Sequence, residues 1–512
     1  MFFWKRAKKH KPNVKGLERL SPSLERNLNW FQRDILIHDE SIMYRRFRTA
    51  EPNSRSCVLI FADNMTNSEF LSQYVMRPLM TSSLPLRSSG QELADFISER
   101  VVQSDQVASS SHYMKLVDAI ARGSGVVLVE GCNFGIMVEA PGWDRRTITE
   151  PESETVVRGP RQGFTEDLGV NVNLVRRKIA GPQLKVKYLD VGKQTKTKTA
   201  IVYVEPIVSV DLVDEVVKRM ERIEIDAVLD SGYIQELIQD GPNFSLPTVG
   251  YTERPDIVAA KILEGRVAVI VDGSPFALTM PHLFVEIFQA NEDYYNHWLA
   301  GTFHCFLRYI SFFLTTSTPA IYLALIAYHP QLIPTPLALS IAAARKNVPF
   351  PGFVEVVLMG LVFEILREGG VRLPRPVGQA ISIVGAIVLG DAAVNASLVG
   401  APMIVVVGLT AIAGFVVSYV YDAAVIMRLF LVLTSSVLGL HGFVLGFMAI
   451  VLQLSAMQSF GVPYLSALTS FTAQGMKDTA VRLPWWKMVL RPRYLGAKDR
   501  QRLEPKSRSR EP

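Results

Sequence analysis

Asp391 stands four residues before Asn395 in AISIVGAIVLGDAAVNASLVGAP, a stretch with no other charge. That spacing places both side chains on one helical face. A carboxylate beside an amide in apolar surroundings suits either an ion path or subunit interface, or a buried hydrogen-bonded pair that clamps helices. An ionised group at bilayer depth costs about 2.5 to 3.5 kcal/mol on insertion scales, so it implies a compensating role. Two further acids, Glu355 and Glu364, lie in GFVEVVLMGLVFEILR. Glu364 and Arg367 are three apart and can pair locally. Glu355 lies about half a turn round from Glu364 by the 100° helical step, which leaves Glu355 as the freer acid.

A second constellation fills EPESETVVRGPRQGFTEDLGVNVNLVRRKI, residues 150–179. Arg158, Arg161, Arg176 and Arg177 could pair with Glu150, Glu152, Glu154 and Glu166 of another copy of the chain, which suits a contact surface. A solvated linker with one polar helix face is the alternative. His297, His304 and Cys305 are the nearest approach to a ligand set, but no fourth donor is evident, and no metal is expected. Gly-x-Gly-x-x-Gly, Gly-Lys-Ser/Thr, Gly-x-Ser-x-Gly and His-Glu-x-x-His patterns are all missing. Enzyme function, a cofactor and a nucleic-acid partner are therefore not expected. Cys57, Cys132 and Cys305 are odd in number and widely spaced, which fits a reducing compartment.

The elements that carry these residues divide near residue 300. From Tyr309 to Ala344, and from Leu429 to Met476, there is no Asp, Glu, Lys or Arg. Each run exceeds the ~20 apolar residues that one membrane helix needs. Spans are expected at about 304–328, 377–398, 402–421 and 428–456. The Glu355 segment, 352–367, reads as a short re-entrant or interfacial helix. Tyr-His-Pro at 328–330 and the prolines at 334, 336, 349 and 351 mark rigid turns at a membrane surface.

The polar half reads as one plan used twice. An apolar strand, turn and amphipathic helix from Cys57 recur from Thr199, and KLVDAIARGSGVVLVEGCNFGIMVEA from Lys115 recurs as DIVAAKILEGRVAVIVDGSPFALTMP from Asp256. Both pairs are offset by roughly 142 positions. The expected fold is thus an α/β domain of two related subdomains followed by an all-α polytopic membrane domain. Its boundaries are a basic segment 1–20, subdomain 1 at 21–149, an Arg/Glu-rich linker at 150–185, subdomain 2 at 186–300, a membrane domain at 301–476 and a basic tail at 477–512. That tail carries eleven Lys or Arg against four acids. Positive residues are retained on the cytoplasmic side, and the start MFFWKRAKKHKPNVK has the wrong order for a secretory signal, so both ends are expected there.

At EPESETVVRGPRQGFTEDL, IEIDAVLDSGYIQELI, TERPDIVAAKILEGRVAVIVDGSPF, HPQLIPTPLALSIAAARKNVPFPGFVE, FEILREGGVRLPRPVGQAISIVGAIVLG, SFGVPYLSAL and LPWWKM, the chain resembles the spore germination family of germinant receptor A subunits and SpoVAF-like proteins. The likeness covers about residues 20–490. It implies an endospore inner-membrane protein that works with a transporter-like B subunit and a lipoprotein C subunit. It also implies a homo-oligomeric ring conducting monovalent cations; Asp391, Asn395, Glu355 and Glu364, read from their own placement, are the pore or buried polar candidates. A SpoVAF-like amplifying channel and a non-conducting scaffold are the alternatives. The chain departs from the family at Gly360, where an acid is common, and at Asp391, where many members have Gln.

Overall fold

The computed structural model describes residues 19–85, 90–142, 150–151, 153–154, 156, 158–241, 246–372, 388–469, 478–479, 481–492, 495 and 499–502. The chain forms two compact units. Most of the basic N-terminal segment, residues 377–387 of an expected span and the end of the basic tail lie outside the described residues.

The first unit contains two five-stranded antiparallel sheets with the same strand order. One runs β1-β2-β4-β5-β3: Ile42–Arg48, Ser56–Ala62, Val107–Ser110, Ser124–Val129 and Gly135–Glu139 are β1 to β5. The other repeats that order with β6 to β10: Leu184–Val191, Thr197–Val204, Gly250–Thr252, Val267–Val271 and Ala277–Met280. Alternation along the central strands of the first sheet feeds two cores. Leu59, Val127 and Val129 join one, and Val58, Ile60, Val126 and Leu128 join the other.

The repeat extends to single hydrogen bonds. Helices α1 (Leu24–Trp30) and α3 (Leu168–Lys178) occupy matching places. Ahead of α1, Asn27 exchanges bonds with Ser21, its Oδ1 accepting from the Ser21 N–H and its Nδ2 donating to the Ser21 carbonyl. Asn171 does the same with Thr165 ahead of α3. The Leu24 N–H donates to Glu130 and the Leu168 N–H to Asp272, carboxylates that satisfy helix N-termini. Helices α2 (Tyr113–Ala121) and α4 (Pro255–Ile262) precede β4 and β9. The glycine stops fall where the sequence repeat puts them. Gly123 and Gly265 have φ of +90° and +107°, and the turns at Gly131 and Gly273 have +81° and +82°, values that favour glycine.

One boundary differs from expectation. Residues 150–185, read as a linker, include α3, and Phe164, Leu168, Val172 and Val175 belong to the core of the second sheet. The Arg and Glu content hid an amphipathic helix whose apolar face is complete.

The second unit holds the apolar helices: α5 (Trp298–Tyr328), α6 (Thr335–Arg345), α7 (Gly352–Arg372), α8 (Ala401–Val416) and α9 (Tyr421–Ala456). Two sequence expectations change here. The segment read as a short helix at 352–367 continues to Arg372 for 21 residues. At 1.5 Å per residue it is about 31 Å long, but with Glu355, Glu364, Arg367, Glu368 and Arg372 along it, it is not among the described helices apolar enough to cross a membrane. The span expected at 428–456 is interrupted, because Gly439 has φ +61° and ψ −136° inside α9. The two arms, 421–438 and 440–456, fold back on one another. Leu431 and Thr434 lie against Gly446, while Met427, Ala423 and Val420 share a core with Leu454 and Ile450. These pairs have a nearly constant index sum, the signature of an antiparallel hairpin.

Candidate functional site: the polar groups of the helical unit

Glu355 is fully buried, at 0% exposure. Arg345, at the end of α6, reaches its Oε1 with Nη2 at 2.7 Å and Nε at 3.1 Å. Its Oε2 accepts the Gly400 N–H at 3.0 Å, just ahead of α8. One carboxylate therefore fastens α6, α7 and the start of α8. A Cβ at Gly400 would sit 2.9 Å from Arg345 Cγ, so glycine gives the guanidinium its approach. Glu355 is thus not the freer acid. The proline turn between α6 and α7 folds Arg345 back onto it, a contact that helical periodicity does not reveal. Arg345→Ala would strand a buried carboxylate, a defect worth about 3 kcal/mol. The expected result is a larger drop in melting temperature of the detergent-solubilised protein for Arg345→Ala than for Glu355→Gln, which keeps an acceptor for Gly400.

Glu364 has the local partner expected of it, Arg367, at 3.1 Å. It also receives Arg428 Nη2 at 2.7 Å and the Tyr421 hydroxyl at 2.8 Å, both from α9. Arg367 extends the network to Asp422 at 3.1 Å, with its guanidinium 4.1 Å from the Tyr421 ring centroid. Tyr421, Asp422 and Arg428 escaped the sequence reading. Their only signal was that Arg428 directly borders the charge-free run from Leu429.

Asp391 and Asn395 fall on one face of a helical segment, 388–395, and Asn395 Nδ2 donates to Asp391 at 2.9 Å. Both are exposed. Among the described residues, Glu355 and Glu364 each face arginine, whereas Asp391 faces an amide. An exposed acid in an apolar unit can attract cations or meet another chain; a carboxylate already paired with arginine is neutralised for either purpose.

The expected contact residues of the first unit are separated by the fold. Arg176 is not at a surface. Its Nη2 lies 2.9 Å from Asp39 Oδ2 and 3.0 Å from Oδ1, with side-chain exposures of 2% and 0% for Arg176 and Asp39. Ser41 donates to the same carboxylate at 2.7 Å. The pair lies between the two sheets' subdomains, where Glu40 N–H donates to Val186 O and Lys185 Nζ donates to Ile35 O, both at 2.9 Å. Burial lowers the Lys185 pKa, with Asp39 and Glu205 opposing the shift. Arg161 pairs within the chain with Glu150 at 3.2 Å, both ends well exposed. Arg158, Glu166 and Arg177 are exposed. Glu154 is drawn inward, accepting from Thr252, and burial raises its pKa against the pull of Lys261 and Arg254.

A duplicated α/β unit followed by apolar helices, with Trp298–Tyr328 long and apolar enough to cross a membrane and the likewise apolar Ser418–Ala456 folded at Gly439 into a hairpin, marks a membrane protein with a large polar domain. The chain belongs to the family described as Bacillus/Clostridium GerA spore germination protein, which it matches over residues 31–494. It is 38% identical over 495 residues to "Uncharacterized membrane protein YfkQ" of Bacillus subtilis (strain 168), covering 95% of each chain. It is also 38% identical to "Spore germination protein KA" of Bacillus subtilis (strain 168), over 94% of this chain and 88% of the relative. Among solved structures, it is similar to the N-terminal domain of the A subunit of the Bacillus megaterium spore germinant receptor GerK3. There the identity is 26% and the TM-score 0.39, over 53% of this chain and 99% of the other.

Proposed function

We propose that this chain is the A subunit of a nutrient germinant receptor in the spore inner membrane, and that several copies form a cation channel that starts germination. The observation that carries the reading is Asp391, exposed beside Asn395 while Glu355 and Glu364 are engaged by arginines. Repeated by rotational symmetry, one such acid per copy makes a ring of carboxylates, a common basis of cation preference. A transporter-like B subunit and a lipoprotein C subunit would supply germinant sensing and complete the receptor. Arg158, Glu166 and Arg177 are proposed contacts between copies; Arg176 is not.

Within the helical unit, the helix order brings the end of α9 back beside the start of α5. The C-terminal end of α5, at Tyr328, meets Gly439 at the tip of the hairpin, whereas Cys305 near its start shares a core with Val420 and Leu454 at the hairpin base. The hairpin therefore returns the chain to the end where α5 began, which we place on the spore-core side.

Purified protein in liposomes tests the function. A channel gives steep conductance with a reversal potential set by the potassium gradient, and Asp391→Asn shifts that potential toward chloride. Saturable solute flux would favour a transporter, and an electrically silent vesicle a scaffold.

A further inference from the structure

Two adjacent tryptophans near the end of the helical unit keep much of their ring surface exposed. Trp485 and Trp486, in a short 3-10 turn after Pro484, are 47% and 63% exposed. The segment that carries them is firmly held. Arg482 is buried, and its guanidinium donates to the carbonyls of Asn296 and Tyr294, each at 3.1 Å. The same guanidinium lies 5.2 Å from the Tyr294 ring centroid and 6.0 Å from that of Trp485. Thr302, in the first turns of α5, donates to the Arg482 carbonyl at 3.2 Å. The Trp485 indole N–H donates to the Tyr294 carbonyl at 3.4 Å. The pair is thereby fixed beside the start of α5.

That end of α5 is itself apolar and uncovered. Leu299, Phe303 and Phe306 are 56%, 63% and 59% exposed on a helix long enough to cross a bilayer. Tryptophan is enriched where a span meets the headgroups, because its ring tolerates the acyl boundary while its N–H needs a polar partner. Here that partner is a backbone carbonyl already in place. Cations stand beside the rings. Lys487 follows Trp486 and is exposed, and the Arg502 guanidinium lies 5.8 Å from the Trp485 ring centroid. Basic groups at this level are attracted to anionic headgroups.

We propose that Trp485 and Trp486, held against the start of α5 by Arg482, form an interfacial anchor that seats the helical unit at the headgroup level of an anionic bilayer. The partner is the lipid surface itself, and the surface is continuous with the flank of α5. The anchor rests on α5 being a membrane helix and is independent of conduction.

The test is tryptophan fluorescence of the full-length protein in nanodiscs of phosphatidylglycerol and phosphatidylcholine, with bromine placed either near the headgroup or at the acyl end. The signal of the pair is the emission lost in a Trp485→Phe/Trp486→Phe variant that elutes as wild type; Trp486→Phe alone serves if the double variant does not fold. The expected signal is quenched strongly by shallow bromine, weakly by deep bromine and barely by aqueous iodide. Replacing phosphatidylglycerol by phosphatidylcholine weakens the shallow quenching. Strong iodide quenching without bromolipid quenching would place the pair in water and overturn the proposal. Protection from both quenchers would place it under protein and overturn it equally. Shallow quenching that ignores lipid charge would overturn the anionic part. Failure to enter nanodiscs would instead refute the membrane role of α5.

Discussion

Arg176→Ala is expected to destabilise the α/β unit by about 3 kcal/mol, because it leaves the buried Asp39 carboxylate without its hydrogen-bonded counter-charge. The size follows from burial. Both side chains are almost wholly removed from water, and the remaining donors to the Asp39 carboxylate, the Ser41 hydroxyl and backbone N–H, are neutral. Domains of this kind are held together by roughly 5 to 15 kcal/mol in total, so the loss is a large share. Urea unfolding of the full-length protein in detergent, followed through protease sensitivity of the α/β unit, measures it. Arg161→Ala is the control, since its exposed pair with Glu150 contributes only about 0 to 1 kcal/mol. Replacing both partners together, Arg176→Met with Asp39→Leu, is expected to recover much of the loss, because no unpaired charge remains. Equal midpoints for Arg176→Ala and Arg161→Ala would contradict the buried position.

The second large effect lies at the hairpin of α9. Gly439→Ala meets two obstacles at one atom. The φ of +61° with ψ −136° is rarely adopted by residues with a side chain, and the added Cβ would sit 2.7 Å from Tyr328 Cβ. Backbone strain of this type costs about 1 to 3 kcal/mol, and overpacking costs a similar amount. Gly442→Ala should be at least as harmful, since its Cβ would run into the Thr434 backbone carbonyl and the arms would have to part. Gly360→Ala is the contrast. A Cβ there meets nothing within 4 Å, and alanine favours the helix by about 1 kcal/mol. Thermal denaturation in detergent, read as loss of the monodisperse peak, should rank Gly360→Ala at or above wild type, with both hairpin variants far below.

Local relationships were legible in the sequence; distant ones were not. Asp391 with Asn395 and Glu364 with Arg367 follow from helical spacing, and the structure contains both contacts. The repeat was legible because strand, glycine and helix patterns recur at a fixed offset, down to Gly123 with Gly265. Arg345 with Glu355, Arg428 with Glu364 and Arg176 with Asp39 join separate elements, and no periodicity announces them. The α9 hairpin was hidden for another reason. Its arms and its tip are all apolar, so hydropathy reads one continuous run, and the break rests on a single glycine conformation. Arg176 shows how composition misleads: a charged residue within an Arg/Glu-rich stretch was assigned to a surface, yet its helix turns it toward Asp39.

These contacts give Asp391 its distinct position. Glu355 and Glu364 on α7 tie helices together, while Asp391 sits beside an amide on an exposed face. The most direct measurement is monovalent cation release from spores carrying wild type or Asp391→Asn at matched protein levels, challenged with amino acids, sugars and nucleosides. The account predicts that Asp391→Asn slows or abolishes release in response to the germinant that triggers wild type, with the protein still assembled in the membrane. Release at the wild-type rate would contradict it and return Asp391 to the packing of helices.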